Sequence, residues 1–163
     1  MHVPFRLVDV FTPRPLAGNQ LCVIPEPIEI DDATMQAIAR EIGFSETTFV
    51  TASEADRYAM RIFTPGMELP FAGHPTLGTA FVMVSEGRVT SPATQVVAAG
   101  EIPVEVDVAA GTAWMTQLPP ELVLLKPSFP FSVYDFSCWA RQTVVPLTVV
   151  LHYRPVRNLP PDR

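Results

Sequence analysis

The spacing of hydrophobic residues along the chain predicts mostly short strands. Seven stretches are rich in β-branched or apolar residues and are bounded by turn residues: 5–11, 21–24, 44–50, 58–65, 94–100, 101–108 and 112–118. The polar turn at 51–56 favours a hairpin between the third and fourth of them. In the sixth, the apolar residues alternate with polar or restricted ones and would line one face: Ile102, Val104, Val106 and Val108.

Two other stretches follow the period of a helix. Residues 31–43 begin with paired acids, carry apolar residues at helical spacing and end at Gly43, which predicts an N-capped amphipathic helix with a glycine stop. Residues 75–85 are apolar nearly all round, and Pro75 suits the first helical position. A helix without a polar face should be buried on most sides. One buried helix among many short strands predicts an α+β fold.

Length and composition favour one domain followed by an atypical tail. The 163 residues, 48% of them hydrophobic, suffice for one domain with a core. After residue 118, prolines repeatedly interrupt the apolar runs, so no helix of useful length fits there. We therefore predict a domain at 1–118 and a Pro-rich tail at 119–163 that is poorly ordered in part. Cys22 and Cys138 match neither a zinc spacing nor a disulfide framework, and both should be reduced.

Charge and motif content exclude several functional classes. The net charge is −6 and the only lysine is Lys126, which disfavours nucleic acid as a partner. No apolar run approaches the roughly 20 residues of a membrane span, and residues 1–11 lack the layout of a signal peptide, so we expect a cytoplasmic protein without a membrane partner. Phosphate-loop, dinucleotide-binding and nucleophile-elbow motifs are absent, and no histidine or cysteine spacing suggests a metal site.

The Gly-His-Pro-Thr turn at 73–76 is the first candidate site. If Pro75 begins the helix, Gly73 or His74 caps it, and the N–H groups that follow form a positive end that would attract a carboxylate. Gly73 would let the backbone approach a ligand, and Thr76 would add a hydroxyl donor. His74 could itself transfer protons, because a helix N-terminus favours neutral imidazole. A plain strand-to-helix corner with His74 as a cap explains the same residues.

Glu46 is the second candidate, because it lies among apolar residues and threonines. A carboxylate on a half-buried strand loses hydration, which raises its pKa toward the range of a general acid or base near neutral pH. Hydrogen bonds from Ser45 or Thr47 would oppose this. An ordinary exposed strand glutamate is the alternative interpretation. Asp9 falls within an apolar strand and Asn19 could face a cleft, but hydrogen bonding at strand ends and turns explains each of them.

Three linked motifs resemble one known family. They are VDVFTPRPLAGNQLCVI at 8–24, MQAIAREIGFSETTFV at 35–50 and RIFTPGMELPFAGHPTLGTAFVM at 61–83. In this order and spacing they resemble the PhzF (phenazine biosynthesis-like) family, whose members share the diaminopimelate epimerase fold. The resemblance implies a curled mixed sheet around one central apolar helix, formed here by PTLGTAFVMV, with one amphipathic helix in addition.

The resemblance also implies a chemistry and a set of residues. In this family the glutamate of the SETTF motif transfers the proton, which corresponds to Glu46. The GHPT turn helps to bind the substrate carboxylate, which corresponds to Gly73, His74 and Thr76, and Asn19 would line the same cleft. The implied activity is isomerisation or epimerisation of a small carboxylate-bearing metabolite without a cofactor.

The chain departs from this family after residue 118. Family members are about twice as long, because a second, similar domain closes the cleft, and residues 119–163 do not resemble that continuation. We interpret the tail as the product of a truncated or frameshifted gene or an alternative isoform. Weak or absent activity is expected, because orientation and water exclusion would be incomplete. A non-catalytic carboxylate-binding or assembly module is the alternative, and the uncovered apolar face predicts a homodimer or poor solubility.

Overall fold

The computed structural model describes residues 2–27 and 29–116, and the predictions for the tail at 119–163 lie outside them. Met1–Gln117 form one compact unit. Within the described residues the elements are β1 (Arg6–Val10), β2 (Asn19–Ile24), α1 (Asp32–Ile42), β3 (Glu46–Ser53), β4 (Arg57–Phe63), β5 (Glu68–Leu69), α2 (Gly73–Ser85), β6 (Ala93–Val97), β7 (Gly100–Asp107) and β8 (Thr112–Met115). The seven predicted strands and both helices are confirmed, and the two-residue β5 was not predicted.

One mixed sheet curls around α2. Its strand order is β1-β2-β3-β4-β6-β7-β8, with β5 paired to β4 at the side. The pairs β2–β3 and β4–β6 are parallel, whereas the other pairs, including the predicted β3–β4 hairpin, are antiparallel. Helix α2 contacts strands at both ends of this order, namely β1, β2, β7 and β8. The predicted α+β fold, with a curled mixed sheet around a central helix, is therefore confirmed.

Helix α1 begins and ends where its sequence signals predict. The side chain of Asp31 accepts a hydrogen bond from the N–H of Thr34 at 2.7 Å, as an N-cap does. Gly43 takes a left-handed conformation (φ 72°) at the C-terminal end, which glycine adopts without steric cost. Met35 and Ala39 are buried and pack with side chains of β2 and β3, so α1 covers the outer face of these strands.

Helix α2 begins two residues earlier than predicted. Its first residue is Gly73 and its N-cap is Ala72, so Pro75 is the third helical residue. The N–H groups of the first turn have no partner within a helix, so a proline at this position removes no hydrogen bond. The N–H of Thr76 already donates to the carbonyl of Ala72 at 3.2 Å. The predicted burial of α2 on most sides is confirmed.

Strand β3 is covered on both faces. Thr48 and Val50 pack toward α2, and Phe49 on the opposite face joins the core beneath α1. All of the first five residues of the strand are therefore buried. The expectation that Glu46 lies on a half-buried strand was wrong, because its side chain is only 1% exposed. The difference arises because α1 and α2 cover opposite faces of the same strand.

Strand β7 follows the predicted alternation over most of its length. Ile102, Val104 and Val106 are buried in the core around α2. Val108 follows the last residue of the strand and is 46% exposed, so the alternating face ends at Val106. The strand ends at Asp107, and alternation no longer determines burial in the turn that follows.

Two broader predictions are tested in part. No helix in the described segments is long and apolar enough to cross a bilayer. Cys22 is a buried free thiol, as predicted, and Cys138 lies outside the described residues. The cytoplasmic location and the homodimer stay predictions.

Candidate active site

The fold brings Glu46 and His74 into direct contact. Glu46 is the first residue of β3 and His74 is the second residue of α2. Oε2 of Glu46 lies 3.3 Å from Nε2 of His74, and each side chain is 1% exposed. The sequence analysis named both residues, and the structure places them against each other beneath the protein surface.

Burial keeps the His74 imidazole neutral near pH 7. Loss of hydration lowers the pKa of His74 to about 4, and a hydrogen bond with the backbone of Gln20 partly opposes this shift. A neutral imidazole can donate from one ring nitrogen and accept at the other. His74 can therefore exchange hydrogen bonds with a carboxyl group in either protonation state.

Burial acts on Glu46 in the opposite direction. Loss of hydration raises the pKa of Glu46, and a hydrogen bond with the Ser45 side chain partly opposes the shift. Ser45 therefore has the opposing role that the sequence analysis suggested. Because the uncharged forms of Glu46 and His74 are both favoured, their contact is not a conventional ion pair. The arrangement can hold a proton on a carboxyl group next to a neutral imidazole.

The start of α2 differs in detail from the predicted anion site. The hydroxyl of Thr76 donates to the carbonyl of Ala72 at 2.9 Å, so both donors of this buried residue are used inside the helix. Gly73 is partly exposed, and a Cβ there would lie 3.4 Å from Cε of Met115. The positive end of α2 is therefore formed by the turn that begins at Gly73, and not by the residues after Pro75. The roles in carboxylate binding predicted for these residues stay predictions.

Asn19 adjoins a residue whose backbone contacts His74. It is the first residue of β2, is partly buried, and precedes Gln20, whose backbone contacts His74. The sequence analysis missed Gln20, because a backbone contact leaves no signal in residue type. It also missed a buried hydrogen bond between the hydroxyls of Thr48 and Thr79, at 2.8 Å.

A separate groove runs beside α2. It has a volume of about 760 Å³ and lies between β1 and the turn that joins β7 to β8. Asp9 is the one charged residue among the described residues that line it, and its Oδ2 accepts a hydrogen bond from the N–H of Leu16 at 2.6 Å. Neither Glu46 nor His74 lines this groove. Asp9 therefore has a structural explanation in the turn after β1.

Metal ligands do not cluster in the part of the chain that the structure describes. There, no group of three or more histidine, cysteine, aspartate or glutamate residues could hold a metal ion.

Comparison with known proteins identifies the family. The sequence profile described as phenazine biosynthesis-like protein (PhzC-PhzF) matches residues 8–121, which is more than half of the chain. The chain belongs to the phenazine biosynthesis-like family. This match covers both helices, strands β2 to β8 and residues 8–10 of β1, and with them Glu46 and His74.

Relatives in this family include proteins named as isomerases. The chain is 51% identical over 82 residues to an uncharacterized isomerase of Pasteurella multocida, covering 48% of this chain and 28% of that protein. It is 46% identical over 81 residues to the trans-2,3-dihydro-3-hydroxyanthranilate isomerase of Pseudomonas aeruginosa, covering 49% and 29%. The chain thus spans less than a third of the length of these curated relatives.

A solved structure agrees with the fold. The crystal structure of the Bacillus anthracis phenazine biosynthesis protein of the PhzF family has a TM-score of 0.61 and 33% identity to this chain. The match covers 69% of this chain and 39% of that one. The similarity therefore supports one domain of the family fold.

A second profile matches the other end of the chain. The squalene-hopene cyclase N-terminal domain profile matches residues 112–163, overlapping the first profile at 112–121. The sequence analysis assigned the tail to no family, so it missed this likeness. The phenazine biosynthesis-like profile ends at residue 121, and the separate tail at 119–163 stays a prediction.

Proposed function

We propose that this domain supplies the proton-transferring part of a cofactor-independent isomerase or epimerase that acts on a small carboxylate-bearing metabolite. The observation that carries the proposal is the 3.3 Å contact between the carboxyl of Glu46 and the imidazole of His74, both withdrawn from water. A carboxyl group with a raised pKa can take up and return a proton near neutral pH. The isomerase names of the relatives support the reaction class.

Glu46 is the proposed acid and base. Its carboxylate removes a proton from a substrate carbon, and the electron pair of the broken C–H bond stays on the substrate as a delocalised anion. The carboxylic acid then returns a proton to a different carbon or to the other face of the same one. The neutral imidazole of His74, whose Nε2 lies 3.3 Å from the carboxyl group, is proposed to form a hydrogen bond with it during the reaction and to orient it. Over both steps the enzyme gains no proton or electron.

The start of α2 is the proposed place for the substrate carboxylate. A helix N-terminus favours negative charge, and the first turn of α2 begins beside Glu46. Gly73 and His74 are the proposed contacts on α2, with Asn19 on the neighbouring strand. Thr76 would join them only if its hydroxyl left the carbonyl of Ala72. This arrangement would hold the reacting carbon near the carboxyl group of Glu46.

The chain alone should have weak or no activity. The matched residues make up less than a third of each curated relative, so a substrate site shared with the rest of such a protein would be incomplete here. Incomplete positioning of a substrate costs much of the rate enhancement of an enzyme. The assay must therefore detect slow turnover, and proton exchange with solvent is suited to this.

The direct test is incorporation of deuterium from D₂O into substrate. The parent chain, Glu46→Gln and the control Glu41→Gln would be incubated with small carboxylic and amino acids, including trans-2,3-dihydro-3-hydroxyanthranilate. Glu41 is exposed on α1, so its substitution matches the chemical change without touching the pair. We expect the Glu46 variant to lose about 10²-fold or more of the exchange rate, as when a general acid or base is removed, and the control to retain it. Equal exchange by all three proteins would remove Glu46 from the mechanism.

A non-catalytic carboxylate-binding module is the second candidate. The observation that favours it is the 1% exposure of both Glu46 and His74, which restricts access of a substrate carbon to the pair. Calorimetry with small carboxylates would then detect binding that Gly73→Val abolishes, because the added side chain would occupy the start of α2 near Met115. Binding without any deuterium exchange would support this candidate over the isomerase.

A further inference from the structure

Helix α2 is attached to β3 by a second buried polar contact. The hydroxyl oxygens of Thr79 and Thr48 lie 2.8 Å apart, and both residues are completely buried. Thr48 follows Glu46 by two residues on the strand, or about 6.6 Å. Thr79 follows His74 by five residues on the helix, or about 7.5 Å. The Glu46–His74 contact and the Thr48–Thr79 contact therefore join β3 and α2 at two points, and the spacing of these points is similar on the strand and on the helix.

The Thr48 hydroxyl depends on Thr79 for its good hydrogen bond. Its other contact, with the carbonyl of Cys22, is 3.5 Å long. A buried hydroxyl without a good partner is unfavourable, so removal of the Thr79 hydroxyl would favour a shift of α2 or entry of water. Either change would act on the element that carries His74.

Between these two contacts, α2 packs closely on the sheet, so a small shift of the helix would disturb its packing. At Gly78 a Cβ would lie 2.7 Å from Cδ2 of Leu21 and 2.8 Å from Cγ2 of Val10, so the helix backbone lies directly on these side chains. Leu21 is the register neighbour of Glu46 on the adjacent parallel strand. The packing at Gly78 therefore lies beside the carboxyl-bearing residue and not in a remote part of the core.

We propose that Thr79 is a positioning residue for the Glu46–His74 pair. Its hydrogen bond to Thr48 fixes the place of α2 along β3, and this determines the distance and angle between imidazole and carboxyl. The effect of Thr79 on turnover rests on the proposed function. Its effect on the geometry of the Glu46–His74 pair does not.

The test compares Thr79→Val, which keeps the shape and removes the hydroxyl, with Thr79→Ser, which keeps the hydroxyl. The control is Ile102→Val, a loss of one methylene from the buried face of β7. NMR of the chain carrying isotope-labelled histidine would report the pKa of His74, and the deuterium assay would give kcat and KM. Glu46 is a titratable group in contact with the His74 ring, so the titration must also be followed in a Glu46→Gln background.

We expect Thr79→Val to raise the pKa of His74 by at least one unit from about 4, because a displaced ring regains water. Its kcat should fall by about 10- to 100-fold with little change in KM, as when a reacting group is misplaced by about 1 Å. Thr79→Ser and Ile102→Val should resemble the parent in both measurements. If Thr79→Val does not fold, Thr79→Ala compared with Thr79→Ser tests the same hydroxyl.

Two results would overturn the positioning role. One is an unchanged His74 pKa in a folded variant that lacks the hydroxyl. The other is an equal pKa shift in Ile102→Val, because general loosening of the core would then explain the effect. If the pKa shifts as expected but even the parent exchanges no proton, the positioning role is supported and the proposed isomerase function fails.

Discussion

The buried imidazole of His74 predicts a specific loss of stability in mild acid. In the unfolded chain His74 has an ordinary pKa near 6.5, whereas in the folded protein burial lowers it to about 4. Because the folded value is the lower one, the unfolded state binds a proton first as the pH falls. The stabilisation is therefore fully present above pH 6.5 and is lost progressively as the pH falls toward 4.

The two pKa values of His74 give the size of the effect. A shift from 6.5 to about 4 corresponds to about 3 kcal/mol in total, of which about 2 kcal/mol is lost by pH 5. Three surface carboxylates that pair with arginines contribute little to the change in stability between pH 7 and 5. Hydrogen bonds and ion pairs with arginines lower the pKa values of Asp32, Glu86 and Glu101, so these groups stay ionised at pH 5.

Urea unfolding at pH 7, 6 and 5 would measure this loss for the parent and for His74→Gln. The parent should lose about 2 kcal/mol more than the variant, which has no imidazole to titrate at this position. Glu46 contributes in the opposite sense, since its raised pKa means that stability is lost as the pH rises through the folded value. The comparison should therefore be repeated in a Glu46→Gln background. Parallel curves for parent and variant in both backgrounds would refute the argument.

Three further predictions concern packing, capping and thiol reactivity. Gly78→Ala should lower the free energy of unfolding in urea by about 1–3 kcal/mol, because the added Cβ overpacks against Leu21. Adding Leu21→Val should recover part of this loss. If the effects of the two substitutions simply add in the double variant, the contact is contradicted. Asp31→Ala should lower the urea midpoint by leaving the Thr34 N–H without its cap, whereas Asp31→Ser should retain most of the stability. Burial raises the pKa of the Cys22 thiol to about 11, so peptide mass spectrometry should find it alkylated only in denaturant; rapid labelling of the folded chain would exclude this.

Elements with local signals were predictable from the sequence. Helix α1 was found almost to the residue, because Asp31 and Gly43 are capping residues whose effect depends only on their neighbours. The start of α2 was placed two residues late, since a proline fits several positions of a first turn equally well. The central place of α2 followed from its lack of a polar face.

Features that depend on distant contacts were harder to predict. The complete burial of Glu46 arises from two helices packed on opposite faces of β3, which no local pattern around the residue reveals. The hydrogen bond between Thr48 and Thr79 had no signal in the sequence either, because a threonine in a strand or a helix does not reveal its hydrogen-bond partner. The motifs that resemble a known family led to Glu46 and His74, whereas their direct contact came from the structure.

The double covering of β3 also limits how water can reach Glu46. Backbone segments buried on both faces open least often, and their amide hydrogens exchange only in rare, nearly global unfolding events. The first residues of β3 should thus belong to the slowest-exchanging segment of the domain. In the proposed reaction, a solvent hydrogen would therefore have to reach the carboxyl group by a path other than the opening of β3. Fluctuation of the strand itself is too rare to serve as its route.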